Sequence, residues 1–276
     1  MTLATSPREY TTLEYTRHGP LLYPRYDTHI ARSLEAYGEY SPDEEDFFFQ
    51  ALRPGGIAVD AGAHIGVNTL ALSRCAKEVH AFEPQRLIFQ MLCANLALNE
   101  CLNVHAYRMA LGESCRDIRV PTGEITIPAN TGGVQLLECD GDEICEQRTL
   151  DSLELHVDLL KADVEDMEIF VLRGARETIR RCRPVLYLES NQDHDVLIDE
   201  CEFLGYKTYW HFPPHATPRN PRGNLENIWK PRLIVSIMLA AFPREWQGEI
   251  ELPKATRGDD PIEISRKWFK THGVPV

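Results

Sequence analysis

The stretch Ile57-Ala-Val-Asp-Ala-Gly-Ala-His-Ile-Gly-Val-Asn-Thr69, followed by Val79-His-Ala-Phe-Glu-Pro84, constrains this chain more than any other feature. An apolar run ends in an acid, Asp60, and passes through a loop carrying Gly62 and Gly66 into a helix. A second apolar run then ends in another acid, Glu83. A parallel α/β sheet uses this arrangement to hold an adenosine-containing cofactor at the carboxyl ends of its first two strands.

The spacing of the loop narrows the choice of cofactor. Asp60-x-Gly62-x-x-x-Gly66 is not the G-x-G-x-x-G that seats a pyrophosphate, and no Walker lysine follows it. A nicotinamide dehydrogenase and a nucleotide triphosphatase are therefore disfavoured. An acid before the first glycine repels a diphosphate but suits an ammonium or sulfonium charge, and S-adenosylmethionine carries both. Glu83 stands where an acid accepts hydrogen bonds from ribose hydroxyls. The plainer reading, Asp60 as a helix cap and Glu83 as a strand-end acid, does not account for two acids at two successive strand ends.

With 276 residues the chain can bury a full core. Its net charge of −13 argues against a nucleic-acid backbone or an anionic membrane as partner. No apolar run is long enough for a membrane span, and Met1-Thr-Leu-Ala-Thr-Ser-Pro-Arg8 lacks a signal-peptide layout. The eight cysteines include no C-x-x-C, so reduced thiols and a cytoplasmic location are expected.

Residues 1–40 are rich in tyrosine and read as an N-terminal cap over the cofactor side, with dimer formation as one use for it. Ser41-Pro-Asp-Glu-Glu carries a helix-start signature with serine as the N-cap. Residues 41–245 then read as the cofactor-binding domain, with a β insertion or loop region at 112–150, and 246–276 as a C-terminal tail. Strands are expected at 57–60, 79–82, 104–107, 158–163, 184–189 and from 206, with a last apolar run at 233–240. Between them, the periodicity predicts helices over 67–75, 86–99 and 196–204. A further helix carries Met167, Phe170, Val171, Gly174, Ala175 and Ile179 on one face. This alternation gives a mainly parallel sheet with helices on both faces.

The segment Leu160-Lys-Ala-Asp-Val-Glu-Asp-Met-Glu-Ile-Phe-Val-Leu-Arg-Gly-Ala175 resembles the K-I-D-V-E-G-x-E-x-x-V-L-x-G-A block of the FkbM family of S-adenosylmethionine-dependent methyltransferases. Asp60-Ala-Gly-Ala-His-Ile-Gly66, Ala81-Phe-Glu-Pro-Gln85, Thr149-Leu-Asp-Ser-Leu153 and Arg183-Pro-Val-Leu-Tyr-Leu-Glu189 agree with it, from Ala36 to Pro243. Tyr37-Gly-Glu-Tyr-Ser-Pro-Asp-Glu44, Trp210-His-Phe-Pro-Pro214, Asn220 and Gly223-Asn-Leu-Glu-Asn227 are similar to segments of the same group. The resemblance implies a class I methyltransferase (Rossmann-like) α/β fold of seven mainly parallel strands, the last antiparallel. It also implies methyl transfer, most often to a hydroxyl of a sugar or secondary metabolite. His64 replaces the family's usual Asn, Asn68 stands where His is common, Ala162 replaces Ile and Asp166 replaces Gly. The last change adds charge beside the expected active site.

On this reading the cofactor is held by Asp60, Gly62, Ala63, His64, Gly66, Asn68 and Thr69, by Glu83, Pro84 and Gln85, and by Asp163. Glu39 and Tyr40 wall the same pocket, and Ala110 and Leu111 are expected at the adenine. A hydroxyl acceptor needs its proton removed. Asp163 and Glu165 are the candidate catalytic acids. A Mg²⁺ ion at Asp163, Glu189 and Asn191 is one way to activate the hydroxyl, and a histidine base, His211, is the rival. His215 and His194 are weaker candidates. Tyr37, Glu189, Asn191, Trp210, Asn220 and Asn227 are candidate substrate contacts on a small hydroxylated molecule. N-methylation of an amine and cofactor binding without transfer remain as alternatives.

Overall fold

The computed structural model describes residues 9–135, 141–230 and 235–272. The chain opens with an antiparallel hairpin, β1 (Thr11–Thr16) and β2 (Gly19–Pro24), then α1 (Ile30–Tyr37) and α2 (Pro42–Ala51). The first α/β units follow: β3 (Ile57–Ala61), α3 (Val67–Cys75), β4 (Glu78–Phe82), α4 (Arg86–Leu98) and β5 (Val104–Tyr107). Next come β6 (Ala110–Leu111), β7 (Arg116–Val120) and β8 (Glu143–Arg148), which pair as a small separate sheet within the expected insertion region. The α/β pattern resumes with β9 (Leu159–Ala162), α5 (Glu168–Arg173), α6 (Arg176–Cys182), β10 (Val185–Glu189), α7 (His194–Phe203) and β11 (Tyr206–His211). It closes with β12 (Met238–Pro243) and α8 (Pro261–His272).

The main sheet has seven strands in the order β11-β12-β10-β9-β3-β4-β5. All run parallel except β12, which is antiparallel to both neighbours. This is the class I methyltransferase arrangement, with the last strand inserted antiparallel. The inner strands bury both faces by alternation. On β10, Leu186 and Leu188 enter one core while Val185 and Tyr187 enter the other. Strand order reverses between β3 and β9, so their carboxyl ends diverge and open a crevice there.

Four expectations change. The helix expected after β9 is two helices, because at Gly174 the chain passes against the carbonyl of Gly112 too closely for any Cβ. Ser41 stands at the N-cap of α2 and its carbonyl accepts from the Glu44 amide at 3.0 Å, but it sits at φ 46° and its side chain makes no cap hydrogen bond. Its amide instead donates to the His215 carbonyl at 3.1 Å. The last strand begins at Met238 rather than Leu233, a residue outside the described ones. The expected C-terminal tail is packed over residues 246–272, for Ala255 and Phe269 are buried in the main core and Trp210 Nε1 donates to Asp259 at 2.9 Å. Among the described residues no helix is long and apolar enough to cross a membrane, and the described cysteines are free thiols.

Candidate active site

The loop after β3 is shaped from its backbone. Gly62 has φ 79°, and its amide and that of Ala63 both donate to the Phe82 carbonyl, at 3.0 and 2.9 Å. His64 is also left-handed, at φ 48°, a region that His and Asn tolerate better than most residues. Gly66, at φ 94°, caps α3.

Beneath this loop Asp60 does something other than the sequence suggested. It is fully buried and turned away from the cleft, where it accepts from Thr69 Oγ1 at 2.7 Å and pairs with Lys161 Nζ at 3.0 Å. Lys161, one strand over on β9, also donates to the Gly62 carbonyl at 3.0 Å and lies 3.5 Å from Asp163. Asp60 and Thr69 therefore brace the loop from inside, and neither lines the cleft. A buried ion pair of this kind is costly to break from one side.

The cleft above the loop has a volume of about 320 Å³. Its floor is Gly62, Ala63 and His64, with Asn68 at the start of α3. Glu83, Pro84 and Gln85 line the end of β4. The Glu83 carboxylate accepts from the amides of Gln85 (2.8 Å) and His64 (3.0 Å). Burial outweighs these two bonds and pushes its carboxyl up to about 7. Each oxygen keeps a lone pair for a further donor.

Facing the loop across the cleft are the acids that end β9 and β10. One oxygen each of Asp163, Glu165 and Glu189 can be chosen so that all three lie within 4.8 Å of one another. Glu165 and Asp166 both have positive φ, 55° and 66°, so the chain turns sharply and sets Glu165 on the cleft wall. Burial and the neighbouring Asp163 push Glu165 up to about 7 and hold Glu189 well above the usual carboxylate range. Glu189 Oε2 is buried without a hydrogen-bond partner among the described residues. Asn191 lines the same cleft. Asp166 adds charge beside it, as expected: its carboxylate accepts from Gln135 Nε2 at 2.5 Å and Gln192 Nε2 at 3.2 Å, and its charge helps to hold Glu165 up. Glu168 is a local anchor that accepts from the Val164 amide at 2.7 Å.

Several expected site residues lie elsewhere. His211 does not line the cleft: it stacks on Phe47 and its Nδ1 meets the Tyr187 hydroxyl at 2.8 Å. Burial lowers it to about 4, so it is a neutral core histidine. Trp210 is fully buried in the other core. Glu39 accepts from Arg17 at 3.0 Å and from the Thr217 amide at 2.6 Å, which ties the N-terminal segment to the 217–228 loop. Tyr37 serves the same tie, donating to the Glu226 carbonyl at 2.7 Å. Asn220 closes its own loop on Thr217 and Asn224, both at 2.8 Å. Asn227 accepts from the Trp229 amide at 2.8 Å and is not on the cleft wall. Ala110 and Leu111 are buried in β6 against β8, not at the cleft. His194 bonds Ser190 at 2.8 Å outside it.

Other residues arrive unannounced. Glu44, read from sequence as a first-turn helix acid, lines the cleft and accepts from Asn68 Nδ2 at 2.8 Å. Burial pushes it up to about 8. Tyr40, expected on this wall, and His215, a weaker candidate base, do lie there and pack ring to ring, 4.7 Å between centroids. Asn130, Gly132 and Val134 come over from the insertion region, where proline and glycine spacing gave no sign of it.

The pattern of the FkbM methyltransferase domain matches residues 60–208, which includes the glycine loop, Glu83 and all three clustered acids. The chain belongs to the FkbM methyltransferase family. No curated protein matches it. Among solved structures, the FkbM methyltransferase of Methylobacillus flagellatus KT is 18% identical, with a TM-score of 0.47. That likeness covers 78% of this chain and 55% of the other, so this FkbM chain spans about half of that relative's length. TYW2 of M. jannaschii, solved with AdoMet, is 14% identical over 87% of this chain and 89% of its own, with a TM-score of 0.43. An rRNA methylase of Streptococcus thermophilus is 13% identical over 73% of this chain and 94% of its own, also at 0.43.

Proposed function

We propose that this FkbM-family chain uses S-adenosylmethionine to methylate a hydroxyl oxygen of a small molecule. The observation that carries the reading is the placement of Asp163, Glu165 and Glu189 across one cleft from the glycine loop and Glu83. The residues present fit the cofactor. Gly62 lets the loop press against the Asp163 carbonyl where no Cβ would fit, Glu83 retains acceptor capacity for ribose hydroxyls, and Tyr40 offers an aromatic wall. When bound, the cofactor supplies an electrophilic methyl group.

The chain's own work is to align the acceptor and take its proton. A hydroxyl oxygen must approach the methyl carbon to about 3 Å, in line. Asp163, Glu165 and Glu189 would take the hydroxyl proton as the carbon–sulfur bond gives way and the neutral thioether leaves. These acids are crowded enough to share protons, so their remaining charge makes a stronger base than an isolated carboxylate. Lys161 Nζ lies 3.5 Å from Asp163 and sets a positive charge beside the group. The same three oxygens suit a hard divalent cation such as Mg²⁺, which would replace the shared protons and acidify a bound hydroxyl.

Titration calorimetry with S-adenosylmethionine, followed by methyl transfer to a panel of hydroxylated acceptors with Mg²⁺ or a chelator, tests this reading. Saturable binding weakened by Glu83→Ala, and transfer abolished by Glu189→Gln with binding kept, are expected. Absence of cofactor binding would sink it. Amine acceptors belong in the panel, because Glu44, Glu83, Asp163, Glu165 and Glu189 surround a cleft whose lysine is already paired. Transfer to nitrogen alone would replace the hydroxyl reading.

A further inference from the structure

His64 is held from behind by a chain of hydrogen bonds that begins in the N-terminal segment. The Asp27 carboxylate accepts four donors: the amides of His29 (3.0 Å) and Ala31 (2.9 Å) on one oxygen, and the amide (3.0 Å) and hydroxyl (2.7 Å) of Thr131 on the other. An acid so supplied stays ionised, and these bonds from Thr131 and Ala31 hold it below its usual range despite burial. Thr131 has one hydroxyl proton, and it is spent on Asp27. Thr131 Oγ1 also lies 2.9 Å from His64 Nε2, so at that contact the hydroxyl oxygen accepts and the imidazole donates.

The tautomer of His64 follows. Its proton is on Nε2, and burial lowers its affinity for a second one, so Nδ1 carries a bare lone pair. That Nδ1 is buried without a partner among the described residues, in a ring that lines the cleft beside the glycine loop. A buried acceptor left unmade is unfavourable, and one built so deliberately implies a donor that comes from outside the chain. We propose that His64 Nδ1 accepts from the amino group at the amino-acid end of the bound cofactor, and that Asp27 and Thr131 are positioning residues that fix the imidazole for it. The assignment rests on the cofactor reading above. It also accounts for Asn as the alternative residue here, since an amide oxygen accepts equally and Asn tolerates the same positive φ.

The test pairs ¹⁵N imidazole NMR with calorimetry, using S-adenosylhomocysteine and 5′-methylthioadenosine, which shares the nucleoside but lacks the amino acid. In the free protein His64 should show an unprotonated Nδ1 and a protonated Nε2, with Thr131→Val or Asp27→Asn admitting the other tautomer. Adding S-adenosylhomocysteine should shift the Nδ1 signal, and methylthioadenosine should not. His64→Ala should weaken S-adenosylhomocysteine on the order of tenfold or more while leaving methylthioadenosine within about twofold, and His64→Asn should restore most of the loss. A proton on Nδ1, or equal losses for the two ligands, would overturn the assignment alone. Failure of wild-type protein to bind either ligand would overturn the cofactor reading and the assignment with it.

Discussion

The backbone of Gly62 lies so close to the carbonyl oxygen of Asp163 that a Cβ on the glycine would overlap it. The glycine loop and the first acid of the active-site group are thus pressed together, main chain to main chain. Gly62→Ala forces them apart and adds the strain of a φ of 79°. A loss of about 2–3 kcal/mol is expected, seen as a fall in Tm of roughly 4–8 °C, with cofactor binding lost. Wild-type stability and affinity in this variant would mean that the loop is free to move away from β9.

Asn95 makes a comparable link on the other side of the loop. It is fully buried on α4, accepts from the Leu22 amide at 2.6 Å, and donates to the carbonyls of Leu22 (2.9 Å) and Ile65 (2.8 Å). One side chain therefore ties the N-terminal hairpin to the cofactor loop. Asn95→Leu leaves three buried backbone groups unpaired, at a cost of about 1–3 kcal/mol each before relaxation. Thermal melting should show a large destabilisation. Hydrogen exchange should show the amides of Leu22 and its strand losing protection ahead of the main sheet, and simultaneous loss everywhere would contradict the tether.

Much of this site was legible because it is local. The acid–glycine loop, Glu83 and the acids ending β9 and β10 each sit at a strand end that apolar runs mark in the sequence. What failed needed contacts between distant segments. Asp60 looked ligand-facing because nothing near it shows that Lys161, on the adjacent strand β9, reaches it. Trp210 and His211 are neighbours on β11 whose side chains enter opposite cores, the first under Phe212 and Phe269, the second against Phe47. The Asp27–Thr131 bond joins residues 104 positions apart, with no periodic pattern around either.

The C-terminal segment should be indispensable although the family pattern ends at residue 208. The Lys254 region bridges to Tyr209, the Ala255 amide bonds the Thr208 carbonyl at 2.9 Å, and Phe269 is buried in the core. Removal of residues 246–276 uncovers one side of β11 and exposes Trp210, so a truncated chain should express as aggregate. Asp259→Ala, which leaves the Trp210 indole without its acceptor, should cost about 1–3 kcal/mol by chemical denaturation. A soluble, cooperatively folding truncation would show the segment to be an accessory.

The buried acids of the cleft give the protein an unusual pH response. Burial pushes Glu44 and Glu168 up to about 8 and Glu83 and Glu165 up to about 7. Between pH 4.5 and those values the folded chain holds protons that the unfolded chain has released, so stability falls as pH rises through that window. Buried histidines act in the opposite sense: His18 and His215 are lowered to about 3 and His211 to about 4. From about pH 4 to 6.5 the unfolded chain holds those protons, and stability rises with pH. Above pH 6.5 the histidines are neutral in both states and only the carboxyls still titrate. The two sets largely offset between about pH 5 and 6, so the ligand-free protein should change little there and then lose roughly 3 °C or more in Tm by pH 8. Glu189→Gln removes a carboxyl that burial holds well above its usual range and should flatten that decline, because Glu165 then also ionises with one less negative neighbour. A Tm that holds steady or climbs from pH 6.5 to 8 would show that the cleft acids are already ionised in the folded chain.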